Sequence, residues 1–312
     1  KQIATNPPKL PDMDTFWIIL TGSLVAACCA LPGCFLLLRK MSMAGDAISH
    51  AVLPGIVVAY LFSGSRASLP MLTGAALTGL LATFIIELLH KKGRLQSDAS
   101  IGISFTLLFS IGVILITGFA DQVDLDQECV LYGEIAYVPL EVWLLEDGRS
   151  MGPVTIWLLA GNLLLLLAFI VFGYKGLFVT SFDPSYATAL GISTTFWHYA
   201  LMGAVSLTTV FSFEAVGAIL VVAFLVGPPA VARLLTQNLR EMLLLSVLAG
   251  VLAAIAGYYL AAWLDGSIAG AMAIAIGVEF VIALVWHLVQ HNGKVVSLKD
   301  VPQSQPLPAE NS

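Results

Sequence analysis

Apolar residues run through this chain in long blocks separated by short polar breaks. A helix that crosses the ~30 Å hydrocarbon core of a bilayer needs about 20 apolar residues at about 1.5 Å of rise each. About nine blocks meet that length: residues 16–38, 46–63, 69–89, 99–119, 153–174, 195–213, 215–232, 242–263 and 268–288. They are continuous and rich in Leu and Ala, without the alternation of a β-barrel strand. The expected fold is all-α, a polytopic membrane helix bundle of about eight or nine spans. Three regions are expected: a polar lead over 1–15 holding Pro7, Pro8 and Pro11, a single transmembrane domain over 16–290, and a disordered polar tail over 291–312. The chain opens on Lys1 rather than Met, so an initiating segment is expected ahead of it.

Composition sharpens this picture. The chain is 58% apolar and 11% charged, whereas soluble domains carry roughly 25% charged residues. Its net charge of −6 gives nucleic acid no electrostatic footing. Basic residues orient the spans. Arg39, Lys40, Lys91, Lys92, Arg94, Lys175, Arg233, Arg240, Lys294 and Lys299 gather where odd-numbered spans end, and Lys1, Lys9, Arg66 and Arg149 fall on the other side. The basic side is therefore expected in the cytoplasm, with the N-terminus outside and the C-terminus inside. Lys175 to Thr195 then forms a cytoplasmic loop. Cys28, Cys29, Cys34 and Cys129 show no CxxC spacing; they are expected as small apolar side chains rather than metal ligands.

Against this greasy background one stretch stands out, Gly45-Asp46-Ala47-Ile48-Ser49-His50-Ala51-Val52-Leu53-Pro54-Gly55. Positions four apart on a helix share a face, about 5–6 Å apart between Cβ atoms. A carboxylate and an imidazole so placed suit a divalent cation through oxygen and nitrogen. An Asp in the centre of a spanning helix costs about 2.5–3.5 kcal/mol on insertion scales, so it needs a ligand, a partner or a cavity. A plainer reading also fits: Asp46 caps the helix start and His50 meets a backbone carbonyl.

Other polar positions are candidates too. Asp121, Asp124, Asp126 and Glu128 follow the fourth span on the outer side; they fit a cation-gathering vestibule or an ordinary solvated loop. Glu279 lies within the ninth span and fits either a place on a cation path or a locally satisfied acid. Glu214 falls at the outer junction of spans six and seven, and His198 near the inner end of span six. Pro228-Pro229 is expected to break the seventh span and start a short helix over 230–239.

Longer stretches carry a resemblance. Arg39-Lys40-Met41-Ser42-Met43-Ala44-Gly45-Asp46-Ala47-Ile48-Ser49-His50-Ala51-Val52-Leu53-Pro54-Gly55 resembles a signature of the permease subunits of bacterial ATP-binding-cassette importers for manganese, zinc and iron. The segments at 123–134, 182–191 and 216–235 are similar to the same family, which covers roughly residues 16–290. The resemblance implies a multi-pass permease of the bacterial inner membrane with Asp46 and His50 as metal ligands. It implies a short helix between two spans within 129–145. It also implies that Pro228, Pro229, Ala230, Arg233 and Leu234 belong to a coupling helix that docks on an ATPase, although a Pro-kinked helix end accounts for the same residues.

The partners implied are a cytoplasmic ATP-binding subunit, an extracytoplasmic metal-binding protein, a second permease chain, identical or related, and membrane lipid. No Gly-x-x-x-x-Gly-Lys-[Ser/Thr] occurs in the chain, so ATP is held elsewhere. No cofactor is expected to be bound permanently. The transported metal is expected to be manganese, with zinc or iron as alternatives; acid is expected to weaken a carboxylate–imidazole site, since protons compete for both donors. A channel or an ion-coupled carrier is the rival class. A membrane-embedded metalloprotease is disfavoured, since no His-Glu-x-x-His is present.

Overall fold

The structure, a computed structural model, describes residues 12–63, 68–119, 135–140, 142–144 and 150–292. The described helices are α1 (Asp12–Leu38), α2 (Met43–Ala51), α3 (Leu53–Ser63), α4 (Ser68–Lys91), α5 (Ser97–Phe119), α6 (Val154–Phe182), α7 (Pro184–Ala189), α8 (Thr194–Val216), α9 (Ala218–Leu235), α10 (Leu239–Leu264) and α11 (Ile268–Asn292). A 3-10 turn over Ile135–Leu140 and an antiparallel pair, β1 (Val142–Leu144) with β2 (Ser150–Pro153), lie between α5 and α6. Among the described residues nine helical segments are long and apolar enough to cross a membrane, close to the blocks seen in the sequence.

The bundle is built around α1, whose spanning window is 78% buried. It packs against α6, α8, α9 and α10. Lipid tails are as apolar as Leu, so helices associate through close packing and small residues rather than a hydrophobic drive. Gly250 of α10 meets Ala26 of α1, and Gly257 of α10 meets the backbone of Met272 in α11. The indole of Trp197 in α8 lies across Gly173 and Gly176 of α6, where a methyl group on either glycine would strike the ring. Sparse polar contacts add to this: Thr15 Oγ1 lies 2.7 Å from Tyr258 OH, and Asn162 Nδ2 donates to Thr208 Oγ1 at 3.5 Å.

Several expectations change. The second span is two helices, with the chain turning at Val52. Pro54 has no N–H to return to the carbonyl of His50, four residues earlier, so the ladder fails there. The break is held by Val52 O, which accepts from Gly55 N at 3.0 Å, Ile56 N at 3.1 Å and Thr78 Oγ1 at 3.4 Å. At its start α1 reaches back to Asp12, into the expected polar lead; residues 1–11 and 293–312 of the expected lead and tail lie outside the described residues. Likewise α6 runs on past Lys175 to Phe182, because the first breaker is Asp183-Pro184. Of the short helix expected within 129–145, the described part is a 3-10 helix over Ile135–Leu140, followed by β1.

The largest correction concerns Pro228-Pro229. They do not end the span, and no separate helix runs over 230–239: α9 continues through both to Leu235, and α10 begins at Leu239. Proline fits helical φ but loses the bond its missing N–H would make and crowds the carbonyl four residues back, here those of Phe224 and Leu225. Neighbouring helices can absorb that loss inside a membrane protein. The Leu225 oxygen lies directly on Gly33 of α1, where no Cβ intervenes, a place for a Cα–H···O contact. A true break occurs instead at Gly217, whose φ of 79° is glycine territory and joins α8 to α9 without a loop.

Of the four cysteines, the three described pack as expected, and Cys129 lies outside the described residues. Cys28, Cys29 and Cys34 are buried. Cys29 Sγ lies 3.6 Å from Ser212 Oγ and Cys34 Sγ 3.2 Å from Ser246 Oγ. A maleimide applied to the native Cys129→Ser protein is therefore expected to leave all three unmodified until denaturant is added, read by mass spectrometry; rapid native labelling would contradict their burial.

Candidate functional site

Asp46 lies in the first turn of α2 and His50 in its last. The capping position is Ser42, so Asp46 is not the cap, though the helix dipole favours a carboxylate in that turn. His50 Nε2 stands 3.5 Å from Asp46 Oδ1. That spacing suits two groups facing a common point more than a short hydrogen bond between them. The His50 ring rests against Phe105 and Phe109 of α5, with ring centroids at 5.4 and 6.2 Å, which fixes its orientation.

The pair stands within the bundle. Helix α2 is contacted by α4, α5, α8 and α9. Gly45 admits the side chain of Leu225 from α9, so α2 and α9 touch with no room for a Cβ. The side chains of His50 and Asp46 keep 24% and 38% exposure, so a small ion can reach them. Among the described residues no group of three or more His, Cys, Asp and Glu side chains is placed to hold a metal. Two protein donors leave most of an octahedral shell to water or backbone oxygen. Such a site suits passage better than storage.

Of the other candidates, Asp124, Asp126 and Glu128 lie outside the described residues. Glu279 is not brought to α2. It lines a groove between α9, α10 and α11 of about 530 Å³, walled by Val231, Leu248 and Trp286 among others, and its Oε2 is buried without a hydrogen-bond partner. Glu214 is exposed at the end of α8. Pro228 and Pro229 are buried inside α9, Ala230 and Leu234 are half-buried, and Arg233 is exposed near its end.

Sequence reading passed over Glu87. It is 8% exposed, pairs with Lys91 one turn along α4, and has its Oε2 3.0 Å from His198 Nε2 of α8. Its neighbours Leu88-Leu89-His90-Lys91-Lys92 read as the basic end of a span, which hid it; the i,i+4 relation to Lys91 was the available signal. These groups line a cavity of about 470 Å³ that also touches the turn between α1 and α2 through Arg39, Lys40 and Met41. Arg39 crosses to α6, donating from Nε to Ser181 Oγ at 3.0 Å and from Nη2 to Thr180 Oγ1 at 2.9 Å. Burial pushes its guanidinium down to about 10, still charged at neutral pH.

Outside the spans, α7 is capped by Asp183, whose carboxylate accepts from Tyr186 N at 2.9 Å, with Pro184 as first residue. Phe182, Tyr186 and Leu190 are 48%, 56% and 55% exposed around it.

The model of the ABC 3 transport family matches residues 13–287. The chain is 53% identical over 234 residues to the manganese transport system membrane protein MntD of Bacillus subtilis, covering 75% of this chain and 79% of that one. It is 44% identical over 220 residues to the zinc transport system membrane protein TroD of Treponema pallidum, covering 69% and 58%. Among solved structures it resembles PsaBC from Streptococcus pneumoniae in complex with Fab, with a TM-score of 0.71, 30% identity, and 88% and 91% of the two chains covered.

Proposed function

We infer that this chain, which belongs to the ABC 3 transport family, is the membrane-spanning subunit of an ATP-driven importer of a divalent transition metal, with manganese as its main cargo. It is a multi-pass membrane transport subunit, not an enzyme. The observation that carries the metal reading is the Asp46–His50 pair on a broken span inside the bundle. One hard oxygen and one imidazole nitrogen, with no thiolate beside them, suit Mn(II) and Fe(II) and also serve Zn(II). The names of the relatives, manganese for MntD and zinc for TroD, support the same two cargoes. Growth of a deletion strain decides between them: rescue by added manganese supports the main reading, and rescue by zinc alone replaces it.

The basic end is placed in the cytoplasm by the positive-inside rule. There the chain meets a separate ATP-binding subunit, while a metal-binding protein delivers the ion from the other side and a second permease chain completes the pathway. The docking reading shifts with the structure. Pro228 and Pro229 are buried in α9 and present nothing to a partner, so Arg233 and Leu234 at the end of α9 join the exposed α7 as the contact surface. Combining Tyr186→Ala with Leu190→Ala is expected to lose most of the ATPase on co-purification while the permease still reaches the membrane. Full recovery of the ATPase would move docking elsewhere.

A channel or carrier is separated by one measurement. Proteoliposomes holding permease and ATPase, with the metal-binding protein and manganese outside, are expected to accumulate manganese only when ATP is enclosed with the ATPase inside. Uptake by permease alone would overturn the importer reading.

A further inference from the structure

We propose that the cavity at the basic end, between α1, α4, α6 and α8, is a binding site for a phosphate-bearing anion, held by Arg39 and Lys40. The site goes beyond the import reading and does not depend on it. Its ligand chemistry is a tetrahedral oxyanion, either free phosphate or the headgroup of an acidic phospholipid.

Charge is the first argument. Arg39, Lys40 and Lys91 line the cavity, and Glu87 is the one carboxylate among the described residues that does. Both oxygens of Glu87 are spent, one on Lys91 and one on His198. Neither Arg39 nor Lys40 belongs to an ion pair among the described residues. Arg39 is half-buried, and its partners are hydroxyls, Ser181 Oγ and Thr180 Oγ1. A guanidinium drawn out of water into neutral company keeps its charge uncompensated, and an anion beside it repairs that loss.

Unspent donors are the second argument. Of the five N–H groups that a guanidinium carries, two of Arg39's are used, on Ser181 and Thr180. The others suit phosphate oxygens, which a planar fork meets in pairs. Thr194 and Thr195 also line the cavity and open α8. The next two N–H groups of α8 are taken, Phe196 N by Ser193 Oγ and Trp197 N by Ser193 O, both at 3.3 Å. Those of Thr194 and Thr195 have no acceptor within the helix, and a helix start favours negative charge. The turn that closes α1 is the third argument. Met41 N donates to Leu36 O at 2.9 Å and Lys40 N to Leu37 O at 3.1 Å, a closure whose left-handed position usually falls to glycine. Here Lys40 holds it, at a φ of 57°, and adds a cation to the lining. The same turn leads into α2, so an anion bound there ties the start of α2 to α6 and α8.

The test uses the full-length permease purified with its ATPase, stripped of lipid and held at fixed ionic strength. Inorganic phosphate, a short-chain phosphatidylglycerol and, as zwitterionic control, the matching phosphatidylcholine are titrated in and followed by calorimetry. The signal that counts is the part that permease substitutions change, which sets aside phosphate held by the ATPase. Lys40→Gln is expected to weaken that binding about fivefold, and Arg39→Gln combined with it to abolish it. Lys175→Gln, basic and exposed but off the cavity, is expected to change nothing. Lys40 is exposed, so its variant serves should the loss of Arg39 loosen α6. Phosphatidylglycerol bound more tightly than phosphate supports the site and names the lipid as its source; phosphate bound as tightly supports it and names the free ion. Anion binding indifferent to Lys40 and Arg39 overturns the proposal. Loss of the ATPase from Lys40→Gln, with no anion bound by wild type, gives the cavity to an acidic side chain of that subunit and overturns it too. Manganese uptake has no part in the readout, so the import reading stands or falls separately.

Discussion

Manganese uptake by cells carrying Asp46→Ala is expected to fall to that of cells lacking the permease, and His50→Ala to do the same. The site has only two protein donors among its described neighbours. Removing either leaves one protein donor and water. Loss of a supporting contact around a metal ligand typically costs about 10–100-fold in affinity, and loss of the ligand costs more. Asp46→Asn isolates the charge, since it keeps the shape of the side chain and its place in the first turn. The measurement is uptake of labelled manganese normalised to permease in the membrane. Undiminished uptake at normal abundance would remove Asp46 and His50 from the path, whatever the rest of the bundle does.

Gly33→Val is expected to prevent the folded bundle from accumulating. A Cβ at residue 33 would run into the carbonyl of Leu225 and stand 3.0 Å from the ring of Pro229. Overpacking a core typically costs about 1–3 kcal/mol, and here the obstruction is backbone, which cannot change rotamer. The effect spreads because α1 is the helix on which α6, α8, α9 and α10 all rest. Gly161→Ala and Gly277→Ala are the controls, since a Cβ at either meets nothing within 4 Å. They are expected to be neutral or to stabilise by about 0.4–1 kcal/mol through the unfolded chain. Thermal unfolding of the purified proteins reads this directly; a Gly33→Val protein that melts with wild type would deny the close approach of α1 and α9.

What the chain announced and what it concealed divide along physical lines. Spans were legible because the bilayer demands length and apolarity from each one independently. The four-residue spacing of Asp46 and His50 was legible for the same reason: one helix carries both. The behaviour of Pro228 and Pro229 was not, because whether a proline pair ends a helix depends on what receives the freed carbonyls. Gly33, nearly two hundred residues away, does so for Leu225. Glu87 was hidden for a related reason. Its neighbours in sequence are basic, and only the fold shows that its second partner is His198 on another helix. Glu279 was legible as an oddity, yet its distance from the pair could be known only once α11 was placed.

The division of the second span at Val52 bears on how the protein is made. With nine and eleven residues, α2 and α3 extend about 13 and 16 Å, and neither alone crosses a hydrocarbon layer of ~30 Å. Their combined segment has a mean hydropathy of 1.5, against 2.0 for the preceding span, and it carries an acid. Such a segment has little reason to leave the translocation machinery for lipid by itself. Its natural company is α4 and α5, whose glycines receive its prolyl and glycyl turn, so the nascent chain settles this quarter of the molecule as one cohort rather than span by span.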